Sequence, residues 1–356
     1  MSTTLRLGEL KSSDPIVYRG VSLIMERLAR DGVDLDVFRG RRVLVSGGAG
    51  FLGSWLVDTL YAMGAEEIVI IDNLSTGSVR NIEHLLGTGR VRLVEQAVET
   101  MTPLRGFDYV LHLAARPSPD DYMEHPVETL RVSSTGTEVM LESARLSDAV
   151  FLYTSTSEVY GHAEVIPTPE TYWGKVNPVG PRSCYDEGKR YAEALTMAYM
   201  RQYGLDVRIS RIFNTYGPRL DWRNPGYGRV VVKFIVQALR GEPITVHGSG
   251  EQTRSFLYAA DNIEAHVRLL EPRRDLRGAI VNIGGEEEVT IKQLAETIKR
   301  LTGSRSEIVH VEPRPEDPPR RRPDITRAKQ LLGWSPWTSL EQGLRETIEW
   351  IRQRIN

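Results

Sequence analysis

The sequence predicts a doubly wound parallel α/β sheet followed by a smaller C-terminal α/β lobe. The first observation is a series of short, continuous runs of apolar and β-branched residues, such as 43–45 and 68–71, that alternate with stretches of helical periodicity. Such runs between helices are typical of parallel strands that are covered on both faces. The second is a glycine-rich turn at 47–53, between the first run and the first of these helical stretches. The third is a change after residue 213 to loops rich in Gly, Pro and Arg.

The elements follow in order along the chain. Residues 1–40 precede the first strand, and residues 16–30 carry apolar side chains at helical spacing. We expect an amphipathic helix there that packs on the domain surface or against a partner subunit. From residue 42 the pattern alternates, with strands at 43–45, 68–71, 91–94, 109–111, 150–153 and 207–209 and helices at 51–63, 125–144 and 183–203. A second lobe is expected to cap the carboxyl ends of the strands, where ligands bind in open α/β sheets.

Composition narrows the classes of partner. The chain has 356 residues, of which 40% are apolar and 26% charged, and its net charge is −2, which argues against nucleic acid or an anionic membrane as main partner. Cys184 is the single cysteine, so no intrachain disulfide can form, and we expect it to be buried and structural. With no apolar run of membrane-spanning length and no signal-peptide core, a cytoplasmic location is predicted.

The glycine-rich turn indicates a dinucleotide site. Gly47, Gly50 and Gly53 have the spacing G-x-x-G-x-x-G between a strand and a helix, which lets the backbone approach a pyrophosphate at the helix N-terminus. Asp72 ends the second strand, 19 residues after Gly53, and can accept hydrogen bonds from a ribose 2′-hydroxyl. A carboxylate there repels a 2′-phosphate, so NAD is predicted rather than NADP. The predicted contacts in this region are Gly47, Gly50, Phe51, Leu52, Gly53, Asp72 and Asn73.

Tyr185 and Lys189 indicate acid–base chemistry on a hydroxyl. Positions i and i+4 share a helix face, so the ammonium of Lys189 can lie near the phenol of Tyr185. A nearby cation lowers the pKa of a phenol from about 10, and the phenolate can then take a proton from a sugar or alcohol hydroxyl. The spacing alone is weak, since a solvated helix can show it; the glycine turn in the same chain strengthens it.

These two motifs together resemble the extended short-chain dehydrogenase/reductase superfamily. The resemblance implies a Rossmann domain whose nicotinamide lies near Leu113, Ala114 and Ala115, with Tyr185 beside it and Lys189 also holding the nicotinamide ribose. It therefore adds these five residues to the predicted NAD contacts. We divide the chain into a helical extension at 1–40, an NAD-binding domain at 41–212 and a mainly substrate-binding lobe at 213–356 from which the chain can cross back.

The triplet Thr156-Ser157-Glu158 separates the reactions that such enzymes catalyse after oxidising a sugar C4. A 4,6-dehydratase must expel the C6 hydroxyl and uses an Asp-Glu pair after the threonine, whereas here the first position is Ser157. A C4 epimerase typically has no glutamate at this place. A decarboxylase needs no acid for its leaving group, because a 4-ketone turns the C5 carboxylate into a β-keto acid. The triplet fits decarboxylation best.

Longer segments resemble the UDP-glucuronate decarboxylase family, at 155–161, 172–190, 211–219, 247–258 and 321–325. The resemblance implies that Tyr185 is the base for the C4 hydroxyl, that Lys189 holds its phenolate and that Thr156 bonds the same hydroxyl. It implies Ser157 and Glu158 near C5, with Arg321 paired to Glu158. The predicted substrate contacts are Arg116, Asn214, Arg229, Lys233, His247, Arg254 and Arg321, with Asn214 and Arg254 at the diphosphate. Arg116, Lys233 and His247 differ from the family's usual residues.

Alternatives remain open at this point. Glu158 can be a structural carboxylate, and Arg254 or Arg321 can pair on the surface with Glu251 or Asp317. His112 and His247 are expected to have packing or hydrogen-bonding roles, and no metal is predicted. The reaction can instead be that of a nucleotide-hexose 4-epimerase or 4,6-dehydratase, or the chain can be a non-catalytic NAD-sensing protein. We expect a UDP-sugar substrate, UDP-xylose or the UDP-4-keto-pentose as product, and a homodimer formed through helices 125–144 and 183–203.

Overall fold

A computed structural model describes residues 14–223, 229–314 and 316–355. Its main sheet has seven parallel strands in the order β11-β6-β5-β4-β1-β2-β3, which confirms the predicted doubly wound fold. These strands are β1 (Arg42–Ser46), β2 (Glu67–Asp72), β3 (Val91–Glu95), β4 (Tyr109–His112), β5 (Val150–Thr156), β6 (Val207–Ile212) and β11 (Ile280–Ile283).

Both faces of the sheet are covered by packed side chains. On β1, Val43 and Val45 belong to one hydrophobic core and Leu44 to another on the opposite face, and all three are fully buried. The helices are α1 (Pro15–Arg30), α2 (Phe51–Ala62), α3 (Glu83–Leu86), α4 (Pro119–Glu124), α5 (Pro126–Ser133), α6 (Thr135–Ser147), α7 (Ser183–Tyr203), α8 (Val230–Arg240), α9 (Ala259–Leu269), α10 (Ile291–Thr302), α11 (Thr326–Leu332) and α12 (Leu340–Arg352). This two-sided burial explains why the strands read as continuous apolar runs.

The predicted N-terminal helix is α1, and it packs on its own chain. Asp14 caps it by accepting from the Val17 backbone N–H, and the apolar stripe, including Val21 and Ile24, is buried. The Asp14 carboxylate also accepts from the Trp350 indole at 2.6 Å, which ties the start of α1 to α12. The first part of the predicted 1–40 extension, residues 1–13, lies outside the described residues.

The single helix predicted at 125–144 is wrong, because the chain forms α5 and α6 with a break at Ser134. Ser134 has φ −97° and ψ −83°, and its hydroxyl donates to the Leu130 carbonyl at 2.7 Å. Serine hydroxyls compete with the backbone for helix carbonyls, and this favours an interruption. Beyond the break, Gly136 lies against Val98: a Cβ on Gly136 would come within 2.9 Å of a Val98 methyl.

The C-terminal part of the chain carries short strands that bring distant arginines together. These are β7 (Thr215–Tyr216), β8 (Ile244–His247), β9 (Thr253–Ser255), β10 (Leu257–Tyr258), β12 (Glu288–Thr290), β13 (Ile308–Val311) and β14 (Arg320–Arg321). In the pair β9–β14, Arg254 is the register partner of Arg321. Since β11 returns to the main sheet, the division at residue 213 stays a prediction.

Residues 224–228, within the predicted Gly/Pro/Arg-rich loop at 217–228, lie outside the described residues. No helix in the part of the chain that the structure describes is long and apolar enough to cross a membrane.

Candidate active site

The glycine turn brings three backbone segments into contact where β1 ends. Gly47 has φ +72°, and a Cβ there would lie 2.7 Å from the Ala114 backbone nitrogen. A Cβ on Gly53 would overlap the Gly47 carbonyl oxygen. Gly50 precedes α2 as an N-cap without a side chain, so the first backbone N–H groups of α2 are not capped by one. A helix N-terminus of this kind attracts anions.

Asp72 lies fixed at the carboxyl end of β2. Its two oxygens accept from the backbone N–H groups of Ala49 at 3.0 Å and Leu74 at 2.9 Å. Burial raises the pKa of the Asp72 carboxyl, and these two hydrogen bonds oppose the rise. The side chain therefore stays in one orientation toward the turn, which fits a ribose hydroxyl and disfavours a ribose phosphate.

A cavity of about 180 Å³ extends from the glycine turn to Tyr185. Its walls include every residue predicted to contact the cofactor, namely Gly47, Gly50, Phe51, Leu52, Gly53, Asp72, Asn73, Leu113, Ala114, Ala115, Tyr185 and Lys189. The close backbone packing that Gly47 and Gly53 permit, the helix N-terminus and Asp72 fit a dinucleotide whose ribose is unphosphorylated.

The Tyr185 and Lys189 side chains are both buried in the first two turns of α7. The Lys189 ammonium donates to the Thr154 carbonyl at 2.8 Å and lies 5.8 Å from the centre of the Tyr185 ring. The carbonyl at the end of β5 therefore fixes the ammonium beside the phenol ring.

The pKa shift of the Tyr185 phenol runs opposite to the predicted direction. Burial raises the pKa of the Tyr185 phenol to about 12, although the charge of Arg229 and a hydrogen bond with Thr156 lower it. Burial lowers the pKa of Lys189 to about 7, and Glu193 opposes that change. Helical spacing predicts proximity, but desolvation of both groups has the larger effect on their protonation.

A second cavity of about 240 Å³ shares Tyr185 with the first. Its walls include most residues that were predicted for catalysis or substrate binding, namely Thr156, Ser157, Glu158, Tyr185, Asn214, Arg229, Lys233, His247, Arg254 and Arg321. Arg116 does not line this second cavity. It lies on the wall of the first cavity and pairs with Asp121 at 2.5 Å.

Glu158 is held by two arginines in this second cavity. Both terminal nitrogens of Arg321 donate to the two carboxylate oxygens, one of them at 2.7 Å, and Arg182 donates a third bond at 2.6 Å. Burial opposes ionisation of Glu158, but the charges of Arg321 and Arg182 outweigh it and lower its pKa to about 2. The carboxyl is therefore ionised at neutral pH, and it cannot act there as a proton donor.

One of the arginine pairs that were left open is present, that of Arg254 with Asp317, but this arginine is buried rather than on the surface. Arg321 pairs with Glu158, whereas Arg254 does pair with Asp317 at 2.6 Å. Both arginine side chains are only 8% exposed, however, and both line the second cavity. Guanidinium groups in such a place suit phosphate and carboxylate ligands.

Arg182 and Tyr122 are among the residues of the second cavity that sequence reasoning missed. Arg182 lies inside the segment 172–190, four residues before Asp186. This spacing could have indicated that the two opposite charges lie close together. Tyr122 stacks on Tyr185 with ring centres 5.1 Å apart and planes 5° apart, and no pattern in the sequence indicated it. Tyr122 thereby fixes one face of the Tyr185 phenol.

The residues expected to be structural are placed accordingly. His112 is buried, its Nδ1 hydrogen-bonds the Ser46 hydroxyl at 2.6 Å, and burial lowers its pKa to about 3. His247 hydrogen-bonds the Glu312 carbonyl at 2.8 Å while also lining the second cavity. Cys184 is buried, and burial raises the pKa of its thiol, which makes it a poor nucleophile.

This chain is similar in sequence to a known protein family and to proteins of named function. The family model described as GDP-mannose 4,6 dehydratase matches residues 44–347. UDP-glucuronic acid decarboxylase 1 of Xenopus tropicalis is 47% identical over 316 residues, which are 88% of this chain and 73% of the relative. UDP-glucuronic acid decarboxylase 5 of Arabidopsis thaliana is 49% identical over 314 residues, 88% of this chain and 90% of the relative.

A solved structure extends the similarity to cofactor binding. The dTDP-glucose 4,6-dehydratase of Streptomyces venezuelae, crystallised with NAD, superimposes with a TM-score of 0.78 and 28% identity. The match covers 88% of this chain and 97% of the dehydratase chain. The chain belongs to the UDP-glucuronic acid decarboxylase family of extended short-chain dehydrogenases/reductases.

Proposed function

We propose that the protein is an NAD-dependent UDP-glucuronate decarboxylase. It oxidises the C4 hydroxyl of the sugar, releases the C5 carboxylate as CO2 and gives UDP-xylose, the UDP-4-keto-pentose, or both. The observation that carries the proposal is Glu158 fixed between Arg321 and Arg182, on the wall of a cavity that meets the cofactor cavity at Tyr185. Bound NAD supplies a reversible hydride acceptor for the sugar C4.

The chain's own residues handle the protons and the charges. Tyr185, supported by Thr156, accepts the proton of the C4 hydroxyl and returns it when the ketone is reduced. Lys189 lies beside the phenol, and its charged form, together with the charge of Arg229 and the hydrogen bond with Thr156, is proposed to offset the burial that raises the pKa of Tyr185. Once C4 is a ketone, the bond from C5 to its carboxylate breaks and the electron pair moves toward the C4 oxygen, which gives CO2 and an enolate; C5 of the enolate then takes a proton from water.

Other polar groups of the second cavity are proposed to bind the substrate. Glu158 and Ser157 lie near C5, and Glu158 fixes the position of Arg321. The diphosphate is assigned to Asn214 and Arg254. The remaining proposed contacts with the nucleotide sugar are those of Arg229, Lys233 and His247, together with Arg116 on the side of the cofactor cavity.

The ionised state of Glu158 favours decarboxylation over dehydration. A dehydratase must protonate the departing C6 hydroxyl, but the two arginines keep Glu158 ionised. The neighbouring residue is Ser157, where a dehydratase has an aspartate, so this acid is missing as well. Loss of CO2 needs no acid at the leaving group.

The test of this function is release of CO2 from UDP-glucuronate. The purified protein should release CO2 and form a UDP-pentose, and Tyr185→Phe should lower the rate by at least about 100-fold because it removes the base. A matched control is Tyr191→Phe, since Tyr191 lies on the same helix and is 49% exposed. If the amount of UDP-glucuronate does not change during incubation with the protein and NAD, the proposal is refuted.

We propose further that the protein acts as a homodimer in the cytoplasm. Val127 and Leu130 on α5 and Tyr191 on α7 are between 42% and 53% exposed, and α5 packs against α7. Val127 and Leu130 are three residues apart and therefore share one face of α5. Sedimentation should give twice the monomer mass, and Leu130→Arg should give monomers; a monomeric parent protein would contradict this.

The proposed location is the cytoplasm, which is a reducing compartment, and the lone cysteine is consistent with it.

A further inference from the structure

Asp186 is a buried carboxylate beside the proposed decarboxylation site, and its role is not yet assigned. It lies in the first turn of α7 and is 7% exposed. Its Oδ2 is 3.9 Å from Nε of Arg182, too long for a hydrogen bond, and its Oδ1 has no hydrogen-bond partner among the described residues. Leaving a charged oxygen buried and unbonded is unfavourable unless the group can change its charge or gain a partner.

Asp186 and Glu158 compete for the same arginine. Arg182 donates to Glu158 at 2.6 Å through one terminal nitrogen and presents Nε toward Asp186. Several titratable or charged groups act on Asp186. They are Glu158 in the Ser157–Tyr160 turn, Arg321 on β14, Tyr122 on α4, Arg182 just before α7, and Cys184, Tyr185 and Glu187 on α7 itself. The hydroxyl of Tyr122, which lines the second cavity, also has no hydrogen-bond partner among the described residues.

The charges around Glu158 balance when every group is ionised. Three cations, Arg182, Arg254 and Arg321, face three anions, Glu158, Asp186 and Asp317. A ligand carboxylate that pairs with Arg182 therefore competes with Glu158 and Asp186 for that guanidinium group, and a proton on one of these acids removes part of the competition.

Asp186 is the acid that can bind this proton most readily. Glu158 is bonded to two guanidinium groups and Asp317 to one at 2.6 Å, whereas Asp186 has only the long contact with Arg182. Burial raises the pKa of Asp186 to about 7, and the negative charge of Glu158 adds to the rise. A further negative charge nearby would raise it again.

We propose that Asp186 takes up a proton when the sugar carboxylate of the substrate binds, and so releases Arg182 to pair with that carboxylate. Asp186 is then a positioning residue that selects for acidic sugars, because a neutral sugar gives it no reason to change protonation. This inference rests on the proposed function, since it takes UDP-glucuronate as the ligand. The affinity for UDP-glucuronate should therefore fall as pH rises above about 7, by up to about tenfold per pH unit, while the affinity for UDP-glucose stays constant.

The test counts protons by isothermal titration calorimetry in buffers of different ionisation enthalpy. The NAD-loaded Tyr185→Phe variant is used, so that binding is measured without turnover. UDP-glucuronate should draw about half a proton from buffer at about pH 7 and more near pH 8, and UDP-glucose should draw none. Asp186→Asn on the same background should abolish the uptake, while Glu187→Gln should keep it, since Glu187 is half-exposed and pairs with Arg190.

Two results would overturn the inference. One is equal proton uptake for UDP-glucuronate and UDP-glucose, a comparison that needs no change at Asp186 and so does not depend on how that variant folds. The other is unchanged uptake in Asp186→Asn, provided that the variant still binds UDP-glucose with the affinity of its parent. Carboxylate-linked uptake without CO2 release by the parent protein would refute the proposed function alone. CO2 release without uptake would refute this inference alone.

Discussion

The pair between Glu158 and Arg321 is predicted to be a major local contribution to stability. The pKa of Glu158 falls from 4.5 to about 2, and at about 1.4 kcal/mol per pKa unit this corresponds to about 3 kcal/mol in favour of the charged form. Removing one partner of a buried pair costs about 3–5 kcal/mol, because the other charge remains buried. Arg321→Met should therefore lower the free energy of unfolding by about 3 kcal/mol at neutral pH. Glu158→Gln should have a comparable effect, because it leaves two arginines without their carboxylate.

The double variant separates the pair from other effects. The first substitution leaves a charge buried without its partner, and the second substitution removes that charge. The two changes together should therefore lower the free energy of unfolding by much less than the sum of the single changes. Urea unfolding followed by tryptophan fluorescence measures all three variants. The matched control is Arg320→Met, because Arg320 pairs with Glu288 at 2.7 Å but is 54% exposed, and such pairs are worth up to about 1 kcal/mol.

Two outcomes would refute this reasoning: additive single changes, or a loss in Arg321→Met no larger than in Arg320→Met. Arg321→Met should also separate the chemical steps, since it leaves Tyr185 and Lys189 in place. We expect C4 oxidation to continue while CO2 release slows, because Glu158 loses the arginine that positions it near C5; mass spectrometry of the UDP-4-keto-glucuronate and the UDP-pentose follows the two steps.

Three further predictions concern the cofactor turn and the response to acid. Gly53→Ala should abolish copurification of NAD, because its Cβ would overlap the Gly47 carbonyl. The control Gly87→Ala should still copurify with NAD, because nothing lies within 4 Å of a Cβ at that position. Chromatography of the nucleotide released on denaturation measures the bound NAD in both variants. Asp72→Ala should shift the ratio of NADP to NAD affinity toward NADP by at least about tenfold, since it removes the carboxylate that repels a 2′-phosphate; binding titrations that give an unchanged ratio would refute this. The pKa of Glu158 is lowered on folding, so its contribution to stability is present above about pH 4.5 and is lost as the pH falls toward 2. The difference in unfolding free energy between the parent and Glu158→Gln should narrow over that range, and a constant difference would contradict it.

Much of the fold could be predicted because its determinants are local in sequence. The buried runs around Val43 and Ile68 and the turn at Gly47 predict the strands to within one or two residues. The break at Ser134 could not be predicted, because the apolar periodicity continues through it, and the contact of Gly136 with Val98 that accompanies the break joins positions distant in sequence.

The site was predictable in its members more than in its electrostatics. Tyr185 and Lys189 are four residues apart, and the sequence alone indicates that they share a helix face. The direction of their pKa shifts depends on burial, which only the packed structure shows. Glu158 joins Arg182 and Arg321 across 24 and 163 positions of sequence, so the meeting of these three charges is a result of the tertiary fold.

The most direct test of the central claim follows the hydrogen at C4 of the sugar. The protein is incubated with UDP-glucuronate that carries deuterium at C4, and the products are analysed by mass spectrometry together with CO2. The account predicts CO2 release with UDP-xylose that has regained deuterium at C4, or with a UDP-4-keto-pentose that has lost it. CO2 release without any deuterium in the nicotinamide recovered from protein denatured during turnover would contradict the account, and so would a C4-inverted or dehydrated product that still carries its carboxylate.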